Sequence, residues 1–186
     1  MRKFPSDIPY VFDNDCLASF LWVNRIDLLH NLFPGQIKVP ETVFDELSFL
    51  KQTRSAWVFN NFLRDINANV IEKLILPSTG PIAEEYIRLI NAKVKIGRGE
   101  AAALSYVRFA GGTVASNNLK DVARYCRDHG LNLISTDDIL CYACIRGLIS
   151  ETQGNNLWER MKLKGRTLPK YSFFEALRRF KQDQPK

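Results

Sequence analysis

The spacing of apolar and polar positions predicts a chain in which strands and helices alternate. Between the strands, apolar residues recur every three or four positions, as they do on the buried face of a helix. Strands that alternate with helices are typical of a parallel sheet covered by helices on both faces. We therefore predict a three-layer α/β/α fold for residues 1–150. Short apolar runs typical of buried strands occur at 10–12, 36–39, 70–76, 113–116 and 131–135.

Residues 151–186 differ from the rest of the chain in charge. Residues 155–186 contain nine Lys or Arg and three Asp or Glu, and therefore carry the whole net charge of +6. The pattern predicts a helical C-terminal extension, with Phe173, Leu177 and Phe180 on one apolar side of a helix. Its basic residues are expected either to attract RNA phosphates or to form a solvated helix face. Its apolar side is a candidate surface for a partner protein or a second copy.

Composition excludes several classes of protein. Apolar residues make up 46% of the chain, which is enough for a proper core. The chain has no apolar run of about 20 residues, so we expect no membrane association. The first residues are not followed by the apolar region of a signal peptide, which predicts a cytoplasmic protein. Four cysteines do not suggest a disulfide framework, and there is no Gly-rich phosphate loop of the P-loop kind.

Acidic residues follow several of the predicted strands or open the helices behind them. Each has a simple structural explanation, because Asp caps helices and a carboxylate in the first turn favours the helix dipole. The carboxyl ends of parallel strands converge, however, and clustered carboxylates repel one another without a cation. Oxygen-only ligands suit Mg²⁺ or Mn²⁺, which assist phosphodiester cleavage. The acids concerned are Asp13, Asp15, Glu46, Glu100, Asp121 and Asp137.

Four segments, in this order, resemble the motifs of the PIN domain family, the nuclease fold of VapC-like toxins in bacterial toxin–antitoxin modules. Two positions depart from the family pattern: Asp15 stands where Asn is usual, and Glu100 stands where many toxins have Asp. In the last segment, a second register would place Asn117 at the acidic position. The segments are Val11–Asp15, Val39–Leu47, Gly99–Leu104 and Ser116–Val122.

The resemblance implies a metal-dependent endoribonuclease that uses Mg²⁺ or Mn²⁺ and acts on RNA. It further implies an antitoxin protein as a partner, and we expect a homodimer. The alternative is a catalytically weak or inactive PIN-like module that binds RNA or another protein. The implied metal ligands and catalytic residues are Asp13, Glu46, Glu100 and Asp121, supported by Ser116, Asn118 and Asp15. The basic residues expected to contact RNA are Arg98, Lys120, Lys162, Lys164 and Arg166.

Overall fold

Strand β1, Tyr10–Phe12, is buried along its whole length at the centre of a parallel sheet. The structure is a computed structural model that describes residues 4–92 and 96–182. The strand order β3-β2-β1-β4-β5 runs outward from β1 in both directions. A topological switch point therefore lies between β1 and β4, where ligands of open α/β sheets commonly bind. The other strands are β2 (Ile37–Pro40), β3 (Glu72–Leu74), β4 (Thr113–Ala115) and β5 (Asn132–Ile134).

The helices follow the alternation predicted from the sequence. They are α1 (Asn14–Leu21), α2 (Ile26–Leu32), α3 (Glu41–Ser48), α4 (Ala56–Asn67), α5 (Pro81–Ile90), α6 (Arg98–Ala110), α7 (Asp121–Asp128), α8 (Thr136–Ile145), α9 (Glu151–Leu163) and α10 (Phe173–Gln182), with a short 3-10 helix at Phe49–Gln52. None of the described helices combines the length and apolarity needed to cross a membrane.

The sheet separates two apolar clusters, as its alternating side chains require. Tyr10 and Phe12 enter one cluster, together with side chains from α1–α4 and α8–α10. Val11, between them, enters the other, together with side chains from α5, α6 and α7. The predicted three-layer α/β/α fold with a central parallel sheet is therefore confirmed.

The C-terminal extension is helical, as predicted, and its apolar side is buried against the chain itself. Helix α10 packs on α8 and α9, and Phe173, Leu177 and Phe180 belong to the same cluster as the core of β1. The fit is close at Gly154, where an added Cβ would meet Cε1 of Phe173 at 2.3 Å. The expectation that this apolar side receives a partner protein or a second copy is wrong, because α8 and α9 already cover it.

Candidate functional site

Three of the four predicted metal ligands meet in one cavity at the carboxyl end of the sheet. The cavity has a volume of about 340 Å³, and we call it the acidic cavity. Asp13 comes from the end of β1, Glu46 from α3, and Glu100 from the first turn of α6. The described residues that line it are Asp13, Asn14, Asp15, Glu46, Gly97, Gly99 and Glu100.

Asp13 caps α1 with one oxygen and leaves the other without a partner. Its Oδ1 accepts a hydrogen bond from the Cys16 N–H at 2.8 Å, so this residue does act as a helix cap. Its Oδ2 is buried and has no hydrogen-bond partner among the described residues. The whole residue is only 1% exposed. A buried carboxylate oxygen without a donor is costly, and a cation would stabilise it.

Burial raises the pKa of Asp13 to about 7. The Ser116 hydroxyl and the Cys16 N–H oppose this increase, and the charges of Glu100 and Asp15 add to it. Because burial is the main cause, the shift shows that the donors around Asp13 do not replace the hydration that its charged form loses. The neighbouring charges of Glu100 and Asp15 add a smaller effect in the same direction, and a bound cation would oppose both.

Asn14 connects α1 to the acid on α3. Its Nδ2 donates a hydrogen bond to Glu46 Oε2 at 2.9 Å, across 32 residues of sequence. Burial raises the pKa of Glu46, and the Asn14 amide and the Arg98 guanidinium oppose this shift. Asn14 therefore fixes the direction of the Glu46 carboxylate. Apart from the position of Asn14 directly after Asp13, nothing in the sequence indicates this contact.

The Glu100 carboxylate accepts hydrogen bonds from two loops, the one before α6 and the one after β4. Its Oε2 accepts a hydrogen bond from the Gly97 N–H at 2.9 Å, at the start of α6. Its Oε1 accepts a hydrogen bond from Asn118 Nδ2 at 3.1 Å. A carboxylate offers about four lone-pair positions, so both bonds leave acceptor capacity on Glu100.

Gly99 allows α6 to approach α3 closely. A Cβ at this position would meet Cγ2 of Val43 at 2.7 Å, so either the Val43 side chain or one of the two helices would have to shift. The glycine therefore permits the close packing of α6 on α3, the helices that carry Glu100 and Glu46. The sequence showed that a glycine precedes Glu100, but not which element it approaches.

The loop after β4 gives its two asparagines different hydrogen-bond partners. Asn118 faces Glu100, and its Oδ1 accepts a hydrogen bond from the Asp121 N–H at 3.0 Å. Asn117 instead accepts a hydrogen bond from the Thr136 N–H at 2.9 Å, at the start of α8. Ser116 accepts a hydrogen bond from the Asn118 N–H at 3.1 Å. Asn118 thus contacts the Glu100 carboxylate, whereas Asn117 reaches the backbone carbonyl of Asp15 at 3.4 Å and the start of α8.

Two of the candidate acids lie outside the acidic cavity. Asp121 is half-buried at the start of α7 and is not among the described residues that line the cavity. Asp137 accepts hydrogen bonds from the Ser135 hydroxyl and, at 3.0 Å, from the Tyr171 hydroxyl of the extension. The cap of α8 is Ser135, whose capping box is closed by Asp138. Asp137 therefore anchors the extension to the sheet edge.

The candidate RNA-binding residues lie in two separate regions. Arg98 and Lys120 are exposed, on α6 and just before α7. Arg166 lies over the ring of Trp22, 5.5 Å from its centroid. Trp22 follows the last residue of α1 and is nine positions from Asp13, so it lies about 13.5 Å from Asp13 along the helix axis. Arg166 of the basic extension therefore lies at the C-terminal end of α1, whereas Asp13 lies at its N-terminal end.

The oxygen ligands of the acidic cavity suit a hard divalent cation, and the orphaned Asp13 Oδ2 supplies one direct ligand position. Within residues 4–92 and 96–182, however, no three His, Cys, Asp or Glu side chains are arranged as a complete metal-binding group. The geometry thus brings the donors to one cavity without closing them into a coordination shell.

Comparison with protein-family models, with curated proteins and with solved structures finds no match for this chain.

Proposed function

We propose that this chain is a PIN-like ribonuclease that needs Mg²⁺ or Mn²⁺ and cleaves RNA internally. The observation that carries the proposal is the buried, unpartnered Oδ2 of Asp13 in a cavity shared with Glu46 and Glu100. These three carboxylates would hold the metal. When bound, the metal supplies polarisation of the phosphodiester and an activated water. The sequence resemblance to PIN motifs supports the substrate class.

The residues of the chain itself preorganise the acids. The Cys16 N–H fixes the rotamer of Asp13, Asn14 orients Glu46, and Asn118 orients Glu100. Such supporting contacts are typical of metal sites, in which neighbouring groups orient the metal-binding side chains through hydrogen bonds. The fourth ligand, Asp121, stays a prediction, as do the antitoxin partner and the homodimer.

The proposal is tested by the variants Asp13→Asn and Glu100→Gln. We expect each to reduce Mn²⁺-dependent cleavage of single-stranded RNA by about 100-fold or more, with an unchanged circular dichroism spectrum. Asp128→Asn is the matched control, because Asp128 is an exposed acid at the end of α7. Unchanged cleavage by both site variants would remove the proposed site.

The second candidate is a PIN-like module that binds RNA without cleaving it. It is favoured by the absence, among the described residues, of three side chains arranged as a complete metal-binding group. Isothermal titration calorimetry with Mn²⁺ separates the two candidates. The nuclease binds Mn²⁺ and loses that binding in Asp13→Asn, whereas the binding module gives no metal-dependent heat and still binds RNA in the presence of EDTA.

A further inference from the structure

A second cavity, of about 360 Å³, lies between α3, α5 and the start of α6. We call it the Tyr86 cavity. Its volume is in the range of small-molecule sites. Its walls are mostly apolar and include the Tyr86 ring and the side chains of Leu76 and Ile87, and two acids, Glu41 and Asp45, also line it. Ile87 is 54% exposed, so this apolar lining is open to solvent.

The Tyr86 cavity and the acidic cavity are immediate neighbours. On α3, Asp45 lines the Tyr86 cavity, and the next residue, Glu46, lines the acidic cavity. On α6, Arg98 lines the first and its neighbour Gly99 lines the second. The close contact between α6 and α3 at Gly99 forms the wall between the two cavities.

Arg98 stands at this wall and is the only cation among the described residues that line the two cavities. Its Nε donates a hydrogen bond to the Tyr86 hydroxyl at 3.4 Å. The side chain is exposed, so its charge is accessible to a ligand. A cation between an acidic cavity and an apolar one fits a ligand whose phosphate lies beside a flat apolar ring.

We propose that the Tyr86 cavity binds one base of the RNA, adjacent to the phosphate that the acidic cavity cleaves. The inference rests on the proposed ribonuclease function. The base would stack on Tyr86 between apolar side chains, since every base has an apolar face. Arg98 would neutralise the connecting phosphate. The structure thereby assigns Tyr86 and Arg98 as residues that bind the substrate and determine its position.

The test measures binding of adenosine monophosphate and of ribose 5-phosphate by NMR titration of the labelled chain in EDTA. We expect Tyr86→Ala to weaken adenosine monophosphate binding about tenfold, because a base–aromatic stack is lost. Tyr86→Phe keeps the ring but loses the hydroxyl that contacts Arg98, so it should bind adenosine monophosphate more tightly than Tyr86→Ala does. Ile90→Ala is the matched control on α5, since Ile90 is partly exposed and is not among the described residues that line the cavity. Ribose 5-phosphate should bind weakly and equally to all variants.

Two results would overturn the inference. One is adenosine monophosphate binding that is unchanged in Tyr86→Ala, and the other is ribose 5-phosphate binding that equals adenosine monophosphate binding in the wild type. With RNA as the substrate, Tyr86→Ala should raise KM and leave kcat nearly unchanged. If the chain binds adenosine monophosphate through Tyr86 but cleaves no RNA, the base site stands and the ribonuclease function fails. If it cleaves RNA and Tyr86→Ala changes neither binding nor KM, the base site alone fails.

Discussion

Glu85 connects the three helices that cover one face of the sheet, and its removal should weaken the fold in a pH-dependent way. It is only 7% exposed on α5. Its carboxylate accepts hydrogen bonds from Arg88 Nε at 2.7 Å, from Arg108 on α6 at 2.7 Å, and from the Tyr125 hydroxyl on α7. A buried carboxylate with three donors is stabilised in its charged form.

The pKa of Glu85 gives the size of the effect. The hydrogen bond from Arg88 lowers this pKa from 4.5 to about 2, and contacts with Tyr125 and Arg108 help to overcome the opposing effect of burial. At about 1.36 kcal/mol per pKa unit, this corresponds to about 3 kcal/mol of stability. Arg88 is 56% exposed, and solvent screening weakens its part. We therefore expect Glu85→Gln to cost about 2 kcal/mol at pH 7.

The sign of the pH dependence follows from the direction of the shift. A carboxylate whose folded pKa is lowered contributes its full stability above the unfolded pKa of about 4.5, and loses it as the pH falls towards the folded value of about 2. The gap in unfolding free energy between the wild type and Glu85→Gln should therefore be constant from pH 7 to about 5. Below about pH 4.5 the gap should shrink.

Urea denaturation followed by circular dichroism at pH 7, 5, 4 and 3 measures this gap. Glu84→Gln is the matched control, because Glu84 is exposed on the same helix, and its free energy of unfolding should change by no more than about 0.5 kcal/mol. A gap that is the same at pH 3 and pH 7, or no gap at pH 7, would refute the assignment of Glu85 as a charged link between the helices.

Two glycine substitutions test close contacts described above. Gly99→Ala should reduce RNA cleavage at least tenfold, because the added Cβ overlaps Val43 and disturbs the packing of α6 on α3. Gly97→Ala should be tolerated, since its Cβ would lie 3.5 Å from the nearest atom. Cleavage rates of the two variants, measured side by side, check this expectation. Gly154→Ala should lower the free energy of unfolding by about 1–3 kcal/mol, because the added Cβ overlaps the Phe173 ring. Urea denaturation checks the second expectation, and an unchanged midpoint would contradict it.

The fold was predictable because its signals are local. The apolar run Tyr10–Phe12 is fully buried, and helical periodicity marks the segments between strands. The length of β3, however, could not be predicted from the local sequence, because it depends on pairing with β2. The apolar pattern covers 70–76, but only Glu72–Leu74 pairs, because β2 offers partners from Lys38 to Pro40 and the chain then turns into α3.

The sequence predicts part of the candidate site, because strand ends and helix starts show which residues lie at the carboxyl edge of the sheet. That logic brings Asp13, Glu46 and Glu100 to one cavity, as found. It could not give the direction of a side chain within a helical turn, which is why Asp121 was expected in the cavity and is not among its described lining residues. Nor could it show that Asn14 reaches Glu46, because the contact exists only after α1 and α3 have packed.

Helix α5 lines the Tyr86 cavity but contributes no described residue to the acidic cavity, so the two cavities can be altered separately by substitution. Helix α5 contributes Ala83, Tyr86 and Ile87 to the Tyr86 cavity, and none of the described residues that line the acidic cavity comes from it. Substitutions on α5 can therefore alter the shape of one cavity while the neighbouring acids keep their supports. Laboratory evolution restricted to these three α5 positions would explore new ligand preferences without touching the proposed chemistry.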